Sequence, residues 1–378
     1  MAVPRTTRWA IEPHTKIKHL ILQRYLHAWL PMMAKHNGRI LFVDGFAGPG
    51  RYHKGEDGSP IIAMKALLDH PHFQTPRAQR EVVFMFIEVK DDRAAALKEE
   101  IDGFRAIQPI PDWVKIHVIQ GEFAPIMTKG LDHIEGKGLR LAPTFAFIDP
   151  FGFAGVPLRI IAHIVKNPRC ECLITFMFEA INRFLSHPEP EIRVHFDQLF
   201  GTDTWEPITR EKQPEVRQDK IINLYRNQLV EAAGLRYVRT FEMINQGNRT
   251  EYFLFFGTNS PQGLSKMKQT MWRADPLQGQ VFSDRTETDQ LVLLQPAVNL
   301  DHLKGLLRQR FRGSGKVTIE DVERFVLEET PYSETIHLRT KTLKPMELTK
   351  PPLIQVERPS SSRNRPGEYP PGTRITFH

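Results

Sequence analysis

Val43-Asp44-Gly45-Phe46-Ala47-Gly48-Pro49-Gly50 decides the fold of this chain. It follows directly on Arg39-Ile-Leu-Phe-Val43, a short apolar run that predicts a buried strand. Three glycines and a proline then stop the strand. Glycine lets a backbone turn sharply and approach a ligand with no side chain between them. In an open parallel sheet, ligands sit outside the carboxyl ends of the strands. Asp44, Gly45, Phe46, Gly48 and Gly50 are therefore candidate ligand-binding residues. The spacing is not the Gly-x-Gly-x-x-Gly of dinucleotide sites, which disfavours a nicotinamide-dependent oxidoreductase. The next helix starts only at Ser59, too late for a pyrophosphate to rest on its N-terminus. An acidic strand end before Phe-Ala-Gly-x-Gly suits a cofactor that carries an ammonium group better than one that carries phosphates.

The pattern outward from this loop repeats. Ile17 to Met33 has helical apolar spacing, and Ser59-Pro60 starts a helix to Leu68 with Ser59 as its cap. Val82 to Ile87 is a second strand, followed by a helix from Asp92 to Ile101. Lys115 to Ile119 and Thr144 to Ile148 are a third and a fourth. A helix from Leu158 to Lys166 leads to a fifth, Cys172 to Phe178. Alternating strands and helices mean a mostly parallel sheet. The polar, helical stretch 188–233 reads as an insertion. Arg236 to Ile244 and Glu251 to Phe256 then face each other across Asn245 to Asn248 as a hairpin. The fold class is α/β: a Rossmann-like methyltransferase sheet, parallel with an antiparallel terminal hairpin.

Two more strand ends carry chemistry. Glu88 closes the second strand, where a carboxylate can accept both ribose hydroxyls of an adenosine. Asp149-Pro150-Phe151-Gly152-Phe153 follows the fourth. There Asp149 and a main-chain oxygen freed by Pro150 can accept hydrogen bonds from an exocyclic NH2, and Phe151 can stack on its ring. These three are the candidate catalytic residues. Arg183, just past the fifth strand, reads as a phosphate contact or as a partner of Glu179.

Residues 1–295 form the expected first domain, and residues 296–378 differ in character. Val298 to Arg310 and Thr318 to Leu327 are amphipathic helices, and Ser333 to Leu348 is a third. Two strands, Pro351 to Glu357 and Gly372 to Phe377, flank a polar loop. Three helices and a ribbon suggest a winged-helix-like domain. From Thr330 to His378 there are eight Lys/Arg against four Asp/Glu. Arg339, Lys341 and Lys344 on the third helix, with Arg358, Arg363 and Arg365 in the wing, are candidate nucleic-acid contacts.

The composition sets bounds on the rest. The chain has 378 residues, 40% hydrophobic and 25% charged, with a net charge of +7. That is an ordinary globular balance with room for a polyanionic partner. No stretch approaches the ~18 apolar residues of a membrane helix, and the start has no signal-peptide core. The cysteines, Cys170 and Cys172, number two, which supplies neither a disulfide framework nor a metal site. They read as buried small residues in a cytoplasmic protein.

Lys18-His19, Tyr25 and Trp29, then Val43 to Tyr52, Gly58-Ser-Pro60, Ile87-Glu88, Phe147 to Gly152, Ile181 to Phe184 and Thr258-Asn-Ser260 together resemble the three-Cys-motif partner family, often written TcmP. The resemblance covers most of the chain and implies a three-Cys-motif protein as partner. The loop 44–50 looks like methyltransferase motif I, which implies S-adenosylmethionine as cofactor. Asp149-Pro150 looks like the Asp/Asn-Pro-Pro-aromatic motif of enzymes that methylate exocyclic amines. The chain departs from it, with Phe151 at the second proline and Gly152 at the aromatic. Asp-Pro-Phe-Gly also resembles a segment of tRNA guanine-N2 methyltransferases. The implied activity is methyl transfer to an exocyclic amine of a base in DNA or RNA. The alternative is a non-catalytic adaptor that partners the three-Cys-motif protein on the same fold.

Overall fold

The computed structural model describes residues 6–73, 81–284, 298–360 and 365–378. Its contacts divide the chain into two units, Met1–Ser260 with Phe282–Thr286, and Pro261–Val281 with Glu287–His378. The boundary expected at 296 lies outside the described residues. Residues 261–281, expected in the first domain, pack with the C-terminal unit.

In the first unit, α1 (Pro13–Ala34) precedes β1 (Arg39–Asp44), and α2 (Ser59–Leu68) precedes β2 (Glu81–Glu88). Then come α3 (Asp91–Ile107), β3 (Val114–Gln120), α4 (Phe123–Gly136), β4 (Thr144–Ile148), α5 (Leu158–Val165) and β5 (Glu171–Phe176). Three helices follow: α6 (Phe178–Phe184), α7 (Pro190–Phe200) and α8 (Pro214–Glu231). The hairpin is β6 (Tyr237–Ile244) and β7 (Thr250–Thr258). After α9 (Pro261–Ala274), which belongs to the second unit, the short β8 (Val281–Ser283) completes a sheet of order β3-β2-β1-β4-β5-β7-β6-β8. The first five strands run parallel, and β7 is antiparallel to both β5 and β6. This is the Rossmann-like methyltransferase sheet read from the sequence.

The central strands form because their apolar runs bury almost completely; β4 and β5 are buried at every position, while the edge strand β3 is largely half-exposed. On one face Tyr25 and Trp29 of α1 pack on Phe145, which stacks on Phe42. On the other, Phe196, Phe200, Trp205 and Tyr225 of the stretch 188–233 join Phe176 and Phe255. That stretch is therefore a covering layer of the core. Cys170 and Cys172 are buried, and burial pushes their thiols up to about 11 and about 12. Neither ionises near neutral pH, in keeping with a packing role.

Two local readings need correction. Fifth-strand pairing stops at Phe176, and Phe178 opens α6 instead. The cap of α2 is Gly58, with Ser59 already helical. The physical reason is that Gly58 is the last residue in extended conformation and no side chain caps the first turn.

In the second unit, α10 (Leu300–Phe311) and β9 (Val317–Thr318) precede α11 (Ile319–Glu329), which Thr318 caps by accepting the Asp321 amide. A π-helical segment, Glu334–Leu343, runs into the five-residue α12 (Lys344–Leu348). The strands β10 (Ile354–Glu357) and β11 (Arg374–Phe377) pair with β9 in the order β10-β11-β9. The expected ribbon thus gains a third strand, and the expected third helix is mostly π-helical. Leu303, Leu307, Val322, Leu338, Met346 and Ile375 are central to its core.

Arg358 corrects one expectation outright. Its side chain is 4% exposed and pairs in bidentate fashion with Glu347 at 2.6 and 2.8 Å. Glu347 also accepts the Gly367 amide and the Tyr369 hydroxyl. Arg358 therefore joins Gly367 and Tyr369 on Glu347 of α12 and is not presented to a phosphate. Arg358→Ala should destabilise the chain by about 3 kcal/mol, because Glu347 is left without its cation. Lys341→Ala, at an exposed site, should stay within about 0.5 kcal/mol. Denaturant titration of the two variants checks this contrast.

Candidate functional site

Sheet order places β2, β1 and β4 side by side, so their carboxyl ends bring Glu88, Asp44 and Asp149 to one edge. The loop after β1 is spliced onto both neighbours. Gly45 donates its amide to the Phe147 carbonyl, and Ala47 donates to that of Ile87, each at 2.9 Å. Gly48 and Gly50 take φ of +63° and +82°, which side chains resist. A Cβ at Gly50 would also meet Leu97 at 2.9 Å.

Glu88 is 5% exposed and grips the loop. Its two oxygens accept the amides of Gly48 and Lys90, each at 2.9 Å. A carboxylate has about four lone-pair sites, so two remain for a ligand's hydroxyls. Asp44 is fully buried. One oxygen accepts the Phe46 amide at 3.2 Å, and the other makes no hydrogen bond of good geometry among the described residues. Burial pushes its carboxyl up to about 7, against the pull of Ser59 and the Phe46 amide, and the nearby Asp149 and Glu88 add to the rise.

A cleft runs over this loop, with Phe46, Gly48, Gly50, Ser59, His19 and Trp9 in its lining. His19 is kept neutral: burial first, then Lys18, pushes it down to about 3, against Asp149. Its Nδ1 is buried and has no hydrogen bond among the described residues. A second cleft shares Trp9, Tyr52, Asp149 and Phe151 with the first and adds Lys18 and Tyr252. The two clefts therefore meet at Asp149 and Phe151.

Trp9 stands at that junction. Its ring lies edge-on to Tyr52 at 5.6 Å and to Phe151 at 5.4 Å, and the buried Arg93 guanidinium sits 4.7 Å from it. Its carbonyl accepts the His53 amide. Thr7 bonds Asp92 and Arg8 bonds Glu100, which anchors the segment beside the loop.

Asp149 is 19% exposed at its side chain, and Lys18 of α1 donates to both its oxygens at 2.7 and 2.6 Å. The same ammonium lies 5.1 Å from the centre of the Tyr252 ring. Phe151 is half-buried at the cleft, as a stacking face requires.

The other candidates are spread out. Arg183 is 58% exposed, lies over Phe184, and faces Glu179 at 3.7 Å, which is the carboxylate pairing weighed against a phosphate role. Arg339 pairs with Glu323 at 2.6 Å. Lys341, Lys344 and Arg365 are exposed, and Arg363 lies outside the described residues. Trp9, Lys18, His19, Tyr52, Arg93 and Tyr252 are site residues that strand-end reasoning missed. Lys18, His19 and Tyr52 stand among the residues that carry the family resemblance, and Lys18 left a further signal as a lysine in the apolar stripe with Ile17, Ile21 and Leu22.

No helix among the described residues is long and apolar enough to cross a membrane. No family model matches the chain, and no curated protein matches it. Several solved structures are similar at low identity. Trm1 from Pyrococcus horikoshii, solved with S-adenosyl-L-methionine, aligns over 72% of this chain and 75% of its own, at 9% identity and a TM-score of 0.32. Precorrin-6y C5,15-methyltransferase from Geobacter metallireducens GS-15 aligns over 62% of this chain and 87% of its own, at 12% identity and a TM-score of 0.28. A methyltransferase-type protein of Porphyromonas gingivalis W83 aligns over 58% of this chain, at 12% identity and a TM-score of 0.26; this chain spans only 36% of it. At scores this low the likeness says nothing about the site, and the fold rests on the strand order and directions above.

Proposed function

We propose that this chain transfers a methyl group from S-adenosylmethionine to an exocyclic amine of a nucleic-acid base. The observation that carries the reading is the junction at Asp149 and Phe151 of two clefts, one over a glycine loop and one walled by aromatic rings. The residues present fit the cofactor. Asp44 Oδ2 and His19 Nδ1 are buried polar atoms in need of partners, and Gly48 keeps the loop open, with only Trp9 within reach of a Cβ at 3.7 Å. Asp44 would take the ammonium group, and Glu88 the ribose hydroxyls.

S-adenosylmethionine, when bound, supplies a methyl group already activated on a sulfonium. The chain has to align donor and acceptor and exclude water. Asp149 holds the amine by the lone pairs that Lys18 leaves free, while Phe151 and Trp9 face its ring. The amine nitrogen would take the methyl group from the sulfonium, and the proton it sheds would pass by way of Asp149 to solvent. A base within a duplex would have to be flipped out to reach this site.

For partners, the exposed Lys341, Lys344 and Arg365 support backbone contacts by the C-terminal unit, which reads as winged-helix-like. The resemblance to the three-Cys-motif partner family supports a three-Cys-motif protein as a second partner.

Calorimetric titration of S-adenosylmethionine, followed by transfer of its labelled methyl group onto a mixed RNA and DNA pool, tests the proposal. Absence of heat with the cofactor and its demethylated product would sink it. Glu88→Ala should weaken cofactor binding by about 1–3 kcal/mol, as it frees the Gly48 and Lys90 amides and leaves the ribose hydroxyls unpaired. Gly48→Val should abolish binding, since a β-branched residue resists φ of +63° and fills the gap to Trp9. The same calorimetry reads both.

A further inference from the structure

Among the described residues that line the aromatic cleft, Lys18 and Asp149 are the only charged side chains. They are paired through both carboxylate oxygens, and the Lys18 side chain is 7% exposed. Aromatic walls around a free carboxylate are what a cation-binding cage requires. Here a residue of the chain itself occupies that position. The Lys18 ammonium takes the two oxygens a substrate cation would need, and it also takes the face of Tyr252. It is held there by packing. Ile17, Ile21 and Leu22 of α1 are buried on either side of it, and the Tyr252 hydroxyl donates to the His14 carbonyl of the same helix.

We propose that Lys18 makes the acceptor subsite electrically neutral, so that it takes an uncharged planar amine and rejects an alkylammonium group. This deepens the methyl-transfer reading and rests on it: the substrate class is the amine of an aromatic base, not a lysine side chain of a protein. An alkylammonium entering the cleft would face the Lys18 ammonium, which already holds both oxygens of Asp149, the one carboxylate among the described residues that line it. An uncharged aromatic amine meets no such barrier. It donates to the open lone pairs of Asp149 and stacks between the rings. Lys18 thereby acts as a positioning residue for Asp149 and as the source of the charge rule.

The test uses the full chain loaded with S-adenosylhomocysteine. Lys18→Ala opens a gap shaped for a small alkylammonium beside Asp149. Propylammonium should raise the melting temperature of this variant by about 2–4 °C, whereas 1-propanol should not, and wild type should respond to neither. In parallel, wild type should transfer labelled methyl groups to the RNA and DNA pool and not to polylysine. Lys18→Met, which keeps the stem and loses the charge, should label polylysine at least tenfold above wild type. This variant decides the matter if Lys18→Ala does not fold. Propylammonium stabilising wild type as much as the variant would overturn the proposal. So would polylysine labelling by wild type, which would leave methyl transfer itself standing. Label on neither polymer by any variant would remove the methyl-transfer reading, and the propylammonium result would still show whether Lys18 fills the cation position.

Discussion

Asp44→Asn should make the free protein more stable above pH 7 and nearly unable to bind S-adenosylmethionine. Asp44 is fully buried, and its carboxyl is pushed up from 3.8 to about 7, chiefly by burial. A raised folded-state value means the folded chain holds this proton more tightly than the unfolded chain does. Stability from this group is therefore present at low pH and is lost as pH rises from about 4 to about 7, then stays flat. At 1.36 kcal/mol per pKa unit a rise from 3.8 to about 7 makes the loss about 4 kcal/mol. Asparagine keeps the oxygen that accepts the Phe46 amide and carries no charge, so the decline should vanish and the melting temperature at pH 8 should rise by roughly 5 °C. Binding should move the opposite way. The ammonium of the cofactor needs the ionised form, so wild-type affinity should fall about tenfold per pH unit below 7 and level off above it. The variant should lose about 1.5–3 kcal/mol of binding and show no such pH dependence. Thermal melts and calorimetry between pH 5.5 and 8.5 check both arms together. A variant that binds as tightly as wild type at pH 8 would remove Asp44 from the cofactor site.

How the site divides into what was legible and what was not follows from the range of the interactions. Asp44, Glu88 and Asp149 could be read because each ends an apolar run, and the parallel order of the strands then sets all three on one edge. That logic is local plus periodic. Lys18 meets Asp149 across 131 positions of chain, and no spacing rule pairs them. Trp9 belongs to no helix or strand, so no period marks it. Arg358 shows the same limit in reverse. In a polar, basic stretch it reads as a surface charge, yet Glu347 and Tyr369 close around it. The helix α4 passed unread between two stronger strand signals, and α9 passed unread together with the three-residue β8 that follows it. The π-helical turn of Glu334–Leu343 shares its apolar spacing with an ordinary helix closely enough to be taken for one.

Asp149→Ala should lower methyl transfer by about 10²–10³-fold while cofactor affinity stays nearly unchanged. Glu88 and Asp44 are the residues proposed to hold the cofactor, and neither lines the clefts of the free protein, whereas Asp149 lines both. A group that contacts the acceptor amine is felt in the rate and not in cofactor binding. Loss of one preorganised hydrogen-bonding group at a centre where charge changes has an effect of this size. The variant carries a second consequence that has to be kept apart from the first. Without Asp149, the ammonium of Lys18, whose side chain is only 7% exposed in the intact protein, loses both of its carboxylate contacts. Breaking a buried pair from one side costs about 3–5 kcal/mol. Part of any lost activity would then be lost protein. The double variant Lys18→Met with Asp149→Leu separates the two effects, because it removes both charges at similar volume. Its stability should return to within about 1 kcal/mol of wild type, since an ion pair replaced by packed apolar groups is often neutral or better. Its rate should stay as low as that of Asp149→Ala. Single-turnover rates measured well below each melting temperature, set beside denaturant titrations, give the rate and the stability independently. A double variant that regained both stability and rate would show that Asp149 only holds the fold.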